Sequence, residues 1–370
     1  MLRLHIIQAK CGDCLILEFG TQSHRRYILI DGGPDTIYES HLRNELQEIG
    51  KGGGKLDLVV LSHVDKDHIT GLMDLMADLR QQRAGDATET IAIDALWHNA
   101  FSQTIGSSND IEARLRIFLA NASSASNRMT MTSVAIEGIG EGNQLRLAAA
   151  ALGIPINPGF SHDIVCLDEA PEPIALGNLS LQVVGPTKKN LEELKKEWLD
   201  WLDKHENSLS LPNPSLAAMI DQSIPNLSSI MFLAEADGVK ILLTGDGRGD
   251  HLLEGLKGAN LLNSKGVLHV DVLKVPHHGS DRNVTEKFFK KVTADNYVIS
   301  ANGKDGNPDL QTLKWIVAAA KEQGRAIEIY ATNETSSTKK LVKECDPKKF
   351  GYRLTEIKKR SHSMILEMAS

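Results

Sequence analysis

The stretch that most constrains this chain is LVVLSHVDKDHITGL, residues 58–72. It opens with four apolar residues, and a short run of this kind predicts a buried strand that ends in a loop. The loop carries two histidines and two aspartates within six residues: His63, Asp65, Asp67 and His68. Such a cluster favours a metal or catalytic site over a solvated polar loop. We interpret Gly71 as the residue that lets the chain turn tightly into a helix, predicted over about Leu72 to Gln82.

Composition places the chain among ordinary soluble globular proteins. It has 370 residues, of which 41% are hydrophobic and 24% charged, and that length is ample for a sizeable core. A formal net charge of -7 argues against a nucleic-acid coat protein, although a nucleic-acid enzyme needs only a local basic strip. No apolar run approaches about 18 residues and no secretory signal is evident, so we expect a cytoplasmic protein without membrane contact.

The four cysteines do not suggest a disulfide framework. Cys11 and Cys14 form a single CxxC with no second pair. We therefore expect buried or free thiols in a reduced compartment instead of a disulfide or a metal-binding pair.

The first 31 residues alternate or run apolar between turn signals, which predicts a β-meander. Asp31 closes its last strand before two glycines, and two interpretations stay open: a turn-forming residue, or a partner that orients a metal ligand. Residues 36–50 have helical spacing, and the glycine run GKGGGK after them is a connector, because it lacks the pattern of a phosphate-binding loop.

The long middle, about 84–224, carries no dense cluster of chemistry. It contains a strand-like IAIDALWHN, helical stretches near 109–121 and 143–152, and a Trp and Leu stripe over 191–202 that predicts a helix packed on the core. Its isolated histidines, which we expect to be structural or exposed, are His98, His162 and His205.

Strand signals return in the last third of the chain. SSIMFLAEADGVKILLTGDG predicts a hairpin that delivers Asp246, and VLHVDVLKVPHHGSD predicts a buried strand that ends in His277 and His278. The final residues, from Lys339 to Arg360, are rich in lysine and arginine. We favour a solvated face over a nucleic-acid strip for this run.

Each of the three acid and histidine clusters follows a predicted buried strand. Strand ends on one edge of a sheet converge, so these side chains are expected to meet at one rim: His63, Asp65, Asp67, His68, Asp246 and His277. A set of this size offers enough ligands for two metal ions that share a carboxylate such as Asp246.

These motifs resemble the metallo-β-lactamase superfamily. Its HxHxDH loop corresponds to His63–His68, its bridging aspartate to Asp246 in LLTGD, and its late histidine to the HHGS segment. Within the superfamily the chain is most similar to the soluble hydrolase domain of ComEC competence proteins, which also have HxDxDH. The resemblance covers about residues 1–80 and 224–320.

Three positions depart from the common pattern. Asp65 replaces a histidine, Asn226 stands near where another histidine is often found, and Asn307-Pro308 replaces a late His-Pro. Asn226 is therefore a weak ligand or none. A first site poorer in nitrogen favours Mn or Mg over Zn, because carboxylates suit harder ions.

The two β-rich halves and the resemblance together imply a four-layer αββα sandwich of the α/β (α+β) class. The expected hydrolase domain spans 1–325 with a helical insertion at about 84–224. A β-containing C-terminal extension, 326–370, is expected to pack on it.

The resemblance implies a two-metal phosphodiesterase or nuclease that uses Zn or Mn, with Mg as a further option, on DNA or another phosphodiester. Asp67 and His278 are the expected catalytic residues, although a supporting role for His278 stays equally open. The alternatives are a hydrolase of a small cyclic nucleotide or other small ester, and a non-catalytic metal-binding component of a protein assembly. Protein partners and oligomeric state are left open.

Overall fold

The computed structural model describes residues 2–100, 131–205, 228–358 and 361–368. The strands of the described chain are β1 Leu2–Ile7, β2 Leu15–Thr21, β3 His24–Ile30, β4 Leu56–Val60, β5 Leu96–Trp97, β6 Ile174–Leu176, β7 Leu179–Gly185, β8 Met231–Ala236, β9 Val239–Leu243, β10 Leu268–Lys274, β11 Val292–Ile299, β12 Ile327–Ala331, β13 Tyr352–Glu356 and β14 Ser363–Met368. The α-helices are α1 Arg43–Lys51, α2 Lys66–Ala84, α3 Met131–Ala151, α4 Lys188–His205, α5 Gly249–Gly258, α6 Glu286–Lys291, α7 Leu310–Glu322, α8 Ser336–Glu344 and α9 Pro347–Phe350. None of these helices is long and apolar enough to cross a lipid bilayer.

The strands form two mixed sheets. One has the order β14-β1-β2-β3-β4-β5, and the other has the order β13-β12-β11-β10-β9-β8-β7-β6. In the first, β3, β4 and β5 run parallel. In the second, the parallel set is β9 to β13. Carboxyl ends of parallel strands lie on one edge, so each sheet presents several loops at the same rim.

Three hydrophobic clusters divide the structure into four layers. The central cluster joins side chains of both sheets, such as Leu4 and Leu17 with Phe232 and Val272, and it fills the space between them. A second cluster packs the first sheet on α1, α2 and α3, and a third packs the second sheet on α5 to α8. Strands buried on both faces explain the long apolar runs in the sequence. The predicted αββα sandwich is confirmed.

Most local predictions agree with these elements. The meander over 1–31 is confirmed as three antiparallel strands, and all four cysteines are free. The strand predicted in IAIDALWHN shrinks to Leu96–Trp97, and its other residues lie in irregular chain. The helix predicted near 109–121 lies outside the described residues.

The C-terminal segment takes part in both sheets. β12 pairs with β11, and β13 extends the same sheet. β14 pairs with β1 along its whole length, from Leu2 with Met368 to Ile7 with Ser363. The strands of this C-terminal segment therefore extend both sheets by ordinary ladder pairing, with β13 and β14 at their edges. The basic run near it is partly neutralised, since Lys339 pairs with Glu334 and Arg353 with Glu328.

The role predicted for Gly71 is wrong. Helix α2 begins at Lys66, six residues before the predicted start, so Gly71 lies inside the helix and not at a turn. An added Cβ at Gly71 would stand 2.0 Å from the carbonyl oxygen of Gly32. Gly71 is therefore required because helix and strand end touch backbone to backbone, which draws the first turn of α2 onto the rim.

We expect Gly71→Ala to lower the free energy of unfolding by roughly 1–3 kcal/mol, the usual cost of inserting a methyl group into a packed contact. Urea denaturation measures the change. Gly85→Ala is the matched control: Gly85 follows the same helix at φ -96, and an added Cβ there meets nothing closer than 3.5 Å. Equal effects of the two substitutions would contradict the close approach.

His98 anchors the insertion to the end of β5. Its Nε2 lies 3.2 Å from the carbonyl oxygen of Gly142, while its buried Nδ1 has no hydrogen-bond partner within the part of the chain that the structure describes. Burial, reinforced by the nearby charge of Arg146, lowers the pKa of His98 to about 3 despite the contact with Gly142. The ring is therefore neutral in the folded protein, as its structural assignment predicts.

This pKa predicts a loss of stability in mild acid. Below the ordinary histidine pKa of 6.5, the unfolded chain binds a proton that folded His98 does not, so stability falls as the pH falls toward 3. Between pH 6.5 and 5 the residue should cost about 2 kcal/mol. The measurement is urea unfolding of wild type and His98→Gln across this range. Parallel pH curves for the two proteins would refute the prediction.

Candidate metal centre

The candidate site lies where four loops meet at the rim of the sandwich. Asp31 follows β3, His63 follows β4, Asp246 follows β9, and His277 and His278 follow β10. The predicted convergence is therefore present.

Asp246 is at the centre of the cluster. Its side chain is 4% exposed, and four histidine Nε2 atoms surround its carboxylate. The distances are 3.8 Å to His63, 3.4 Å to His68, 3.7 Å to His277 and 3.3 Å to His278. One buried carboxylate that faces several imidazoles is the geometry expected of an aspartate that bridges two ions.

Asp65 and Asp67 form the open side of the cluster. Asp65 Oδ2 lies 3.3 Å from His63 Nε2, and Asp67 Oδ2 lies 3.4 Å from His278 Nε2. Their side chains are 27% and 30% exposed, in contrast to the fully buried histidines 63 and 68. The backbone at Asp67 is held closely, since a Cβ on Gly12 would stand 1.8 Å from its carbonyl oxygen. A ligand from solvent would therefore approach past these two carboxylates.

Asp31 has the features of both interpretations that the sequence left open, a turn-forming residue and a partner that orients a metal ligand. Its φ of 57° places it in the left-handed region that a tight turn requires. Its carboxylate accepts hydrogen bonds from the backbone N–H and the hydroxyl of Ser62, each 2.7 Å long. It also lies 2.8 Å from His68 Nδ1, which fixes the ring with Nε2 toward Asp246.

The two neighbouring histidines after β10 are held differently. Both have positive φ, 47° for His277 and 53° for His278. His277 Nδ1 lies 2.8 Å from the side-chain oxygen of Asn283, whereas His278 Nδ1 lies 2.8 Å from the carbonyl oxygen of Ser300. His278 is the more buried, with its side chain 4% exposed against 20% for His277. His278 therefore lies deeper in the site than its neighbour, which had been the predicted ligand.

The protonation equilibria show how strongly these groups interact. Burial alone would lower the pKa of His68, but the carboxylates of Asp246, Asp31 and Asp67 outweigh it and hold that pKa well above its usual value. The pKa of His278 is raised in the same way, against burial, by Asp246 and Asp13. Conversely, burial would raise the pKa of Asp246, yet the histidines hold it well below its usual value. The buried site thus stabilises the positively charged forms of these two histidines and the negatively charged form of Asp246.

The side chains fit a divalent cation. Several sets of three side chains have possible ligand atoms that all lie within 4.8 Å of one another. Three of these sets are His63, His68 and Asp246; Asp67, His68 and His278; and Asp13, Asp246 and His278. His63 Nε2 and Asp246 Oδ1 are buried and lack hydrogen-bond partners among the described residues. The Nε2 atoms of His68 and His278 face each other at 3.3 Å. Buried donors left without partners and aimed at one space are what a metal site requires.

Most of the residues predicted for the site lie together. The eight that converge are Asp31, His63, Asp65, Asp67, His68, Asp246, His277 and His278. Asn226 lies outside the described residues, so its role stays a prediction. The Asn307-Pro308 segment packs on Gly279, where a Cβ would stand 2.8 Å from Pro308 Cβ. His162 is exposed and lies 2.9 Å from Glu169, as expected of a histidine away from the site.

Sequence reasoning missed Asp13 and Lys274. Asp13 belongs to Gly12-Asp13, one of the turn signals in the predicted meander, and Lys274 belongs to the strand predicted in VLHVDVLKVPHHGSD. The signal in the sequence was the position of Lys274 at the end of an apolar run. A lysine in a buried strand predicts a charged partner, since lysine is almost never fully buried unless paired.

Residues 26–144 match the family model described as a beta-lactamase superfamily domain. Microtubule-associated protein 1A from Rattus norvegicus is 30% identical over 101 residues, and the Mus musculus protein matches equally. That alignment covers 25% of this chain and only 4% of the curated relative.

Two solved structures overlap most of the chain. Zn(2+)-bound PqqB from Methylobacterium extorquens has a TM-score of 0.40 and 11% identity over 99% of this chain and all of its own. A protein from Parabacteroides distasonis, provisionally named a metal-dependent hydrolase, has a TM-score of 0.36 and 11% identity over 89% and 93%. At these scores neither protein's chemistry transfers to this chain. Residues 26–144 are thus similar to a beta-lactamase superfamily domain, and the two facing sheets are consistent with the sandwich of that fold.

Proposed function

We propose that the protein is a metal-dependent hydrolase that cleaves phosphodiesters, with DNA as the first candidate substrate. The observation that carries the proposal is the buried set of imidazoles around Asp246, with two further, partly exposed carboxylates beside it. The superfamily match supports a metal-dependent hydrolase. The likeness to ComEC-type domains, through HxDxDH, LLTGD and VPHHGS, supports the choice of a phosphodiester.

The protein's own residues divide the work between binding and proton transfer. His63, His68 and Asp246 are fixed and buried, so they would hold ions. A pair of divalent ions would supply positive charge next to the phosphoryl oxygens and make water more acidic. Asp67 is partly exposed beside His278 Nε2, where its carboxylate would accept a proton from an attacking water.

Carboxylates on the open side favour a harder metal than a histidine-rich site does. Asp65 lies 3.3 Å from His63 Nε2, in the place where the common motif has a second imidazole. Imidazole suits Zn, whereas carboxylate oxygen suits Mn and Mg. We therefore propose two divalent ions, with Mn favoured over Zn.

A small cyclic nucleotide is the second candidate substrate. The net charge of -7 favours it over a long polyanion. For DNA, the described chain offers exposed lysines on the helices α8 and α9, namely Lys340, Lys343, Lys348 and Lys349. Hydrolysis of plasmid, single-stranded DNA, RNA and cyclic nucleotides with Mn, Zn and Mg in turn decides between the substrates.

Asp246→Asn should lower metal-dependent phosphodiester turnover by about 100-fold or more, since the substitution removes the charge that all four histidines face. The variant should stay folded, because it creates no apolar cavity and relieves repulsion between carboxylates in the metal-free protein. Turnover of a chromogenic phosphodiester and circular dichroism are the measurements.

Asp94→Asn is the matched control for this substitution. Asp94 is an exposed aspartate paired with Lys55, and it lies outside the candidate site. Wild-type turnover in Asp246→Asn would overturn the enzymatic proposal. The absence of both metal and turnover in the wild-type protein would favour a non-catalytic metal-fold component of an assembly.

Asp65→His should shift activity from Mn toward Zn by restoring a nitrogen donor at the open side. Total activity should fall, because the new ring lacks a partner that fixes its tautomer. The measured quantity is the ratio of Mn-supported to Zn-supported turnover in the two proteins. An unchanged ratio in a folded, metal-loaded variant would show that Asp65 does not set metal preference.

A further inference from the structure

A buried ion pair lies directly beneath the histidine cluster. Lys274, the last residue of β10, places Nζ 2.6 Å from Asp13 Oδ2. The side chains are 1% and 2% exposed, respectively. A lone charge at that depth would be strongly unfavourable, so each partner depends on the other.

The second oxygen of Asp13 faces His278. Asp13 Oδ1 lies 3.5 Å from His278 Nδ1 and has no hydrogen-bond partner among the described residues. The carbonyl oxygen of Ser300 lies 2.8 Å from the same nitrogen. Both neighbours on this side of the ring are acceptors, so Nδ1 carries a proton there. Nε2 then faces Asp246, Asp67 and His68 from the opposite side of the ring.

His68 is held in the same manner on the other sheet. Its Nδ1 lies 2.8 Å from Asp31 Oδ2, and its Nε2 faces Asp246. Asp31 is fixed by two hydrogen bonds from Ser62, whereas Asp13 is fixed by an ammonium group. A carboxylate behind an imidazole is a recurrent means of orienting a metal ligand and raising its basicity.

We propose that Asp13 and Lys274 are a positioning pair for His278, which holds its ring so that Nε2 binds a metal ion. This inference rests on the metal centre of the proposed function. It assigns His278 to metal binding, in place of the catalytic or supporting role expected from the sequence. Lys274 keeps Asp13 ionised without adding net negative charge beneath Asp246 and Asp67.

A purely structural role is the competing explanation. The pair connects the loop between β1 and β2 of one sheet with β10 of the other, so its removal would weaken the sandwich in any case. The test therefore measures metal binding on folded protein without substrate, and it removes both charges together. Replacing a buried ion pair by neutral side chains of similar volume is often neutral or stabilising.

The variant is Asp13→Asn with Lys274→Met, and the probe is Co²⁺ added to metal-free protein. We expect the affinity for one equivalent of Co²⁺ to fall about 10- to 100-fold, with a change in its visible absorption. The matched control is Arg26→Met with Asp57→Asn, which removes another ion pair, 2.6 Å long, with a buried aspartate, away from the site. The control should bind Co²⁺ as the wild type does.

The positioning role would be overturned if the Asp13 and Lys274 double variant bound Co²⁺ with the affinity, stoichiometry and visible absorption of the wild type. Failure of the wild type to bind Co²⁺ would overturn both this inference and the proposed function. Selective loss of Co²⁺ binding in the double variant, with no phosphodiester cleaved by the wild type, would reject only the proposed substrate.

A second measurement applies if the double variant does not fold. In Co²⁺-loaded wild type, a histidine bound through Nε2 keeps an exchangeable Nδ1 proton, which gives a paramagnetically shifted NMR signal that is lost in D₂O. His278→Gln should remove one such signal. A spectrum with the same number of exchangeable signals in both proteins would show that His278 does not bind the metal in this orientation.

Discussion

Compensation of buried negative charge is the constraint on which the site depends. Asp13, Asp31 and Asp246 are each at most 3% exposed, and an ionised carboxylate at that depth needs specific partners. Asp31 receives two hydrogen bonds from Ser62 and contacts His68, Asp13 pairs with Lys274, and Asp246 is surrounded by histidines. The negative charges of Asp31 and Asp13 are thus balanced by hydrogen-bond donors and by an ammonium group of the protein. Among the described residues, Asp13 and Asp246 each keep one buried oxygen without a hydrogen-bond partner. The free oxygen of Asp13 faces His278 Nδ1, whereas that of Asp246 faces the space between the histidines.

The architecture supplies this arrangement because two sheets bring their parallel strand ends to one rim. Neither sheet carries the whole set: His63 and His68 come from the first, and Asp246 and His278 from the second. Glycine contacts bring the backbone close enough for the two groups to meet. Gly71 touches Gly32, and Gly12 touches the backbone at Asp67. The packing of the sandwich therefore sets the spacing of the donor atoms. A methyl group at either glycine contact would disturb both the packing and that spacing.

The sequence predicted the strand ends well and the depth of the side chains poorly. Apolar runs followed by polar clusters locate β4, β9 and β10, because strands buried on both faces appear in the sequence as continuous apolar runs. The order of His277 and His278 within the site is a matter of backbone conformation, since both residues adopt positive φ, which hydrophobic patterning does not encode. The pairing of Asp13 with Lys274 joins residues 261 positions apart, so only the folded topology reveals it.

The two histidines after β10 show how adjacent residues acquire different chemistry. His277 Nδ1 contacts a side-chain amide oxygen on its own loop, and its ring is 20% exposed. His278 Nδ1 contacts the backbone at the end of β11 and faces a carboxylate that is itself ion-paired. The first ring is held by a loop and the second by both sheets. Since a metal ligand must keep its geometry against the pull of the ion, the firmer anchoring of His278 supports the proposal that its ring binds metal, while His277 stays a predicted ligand.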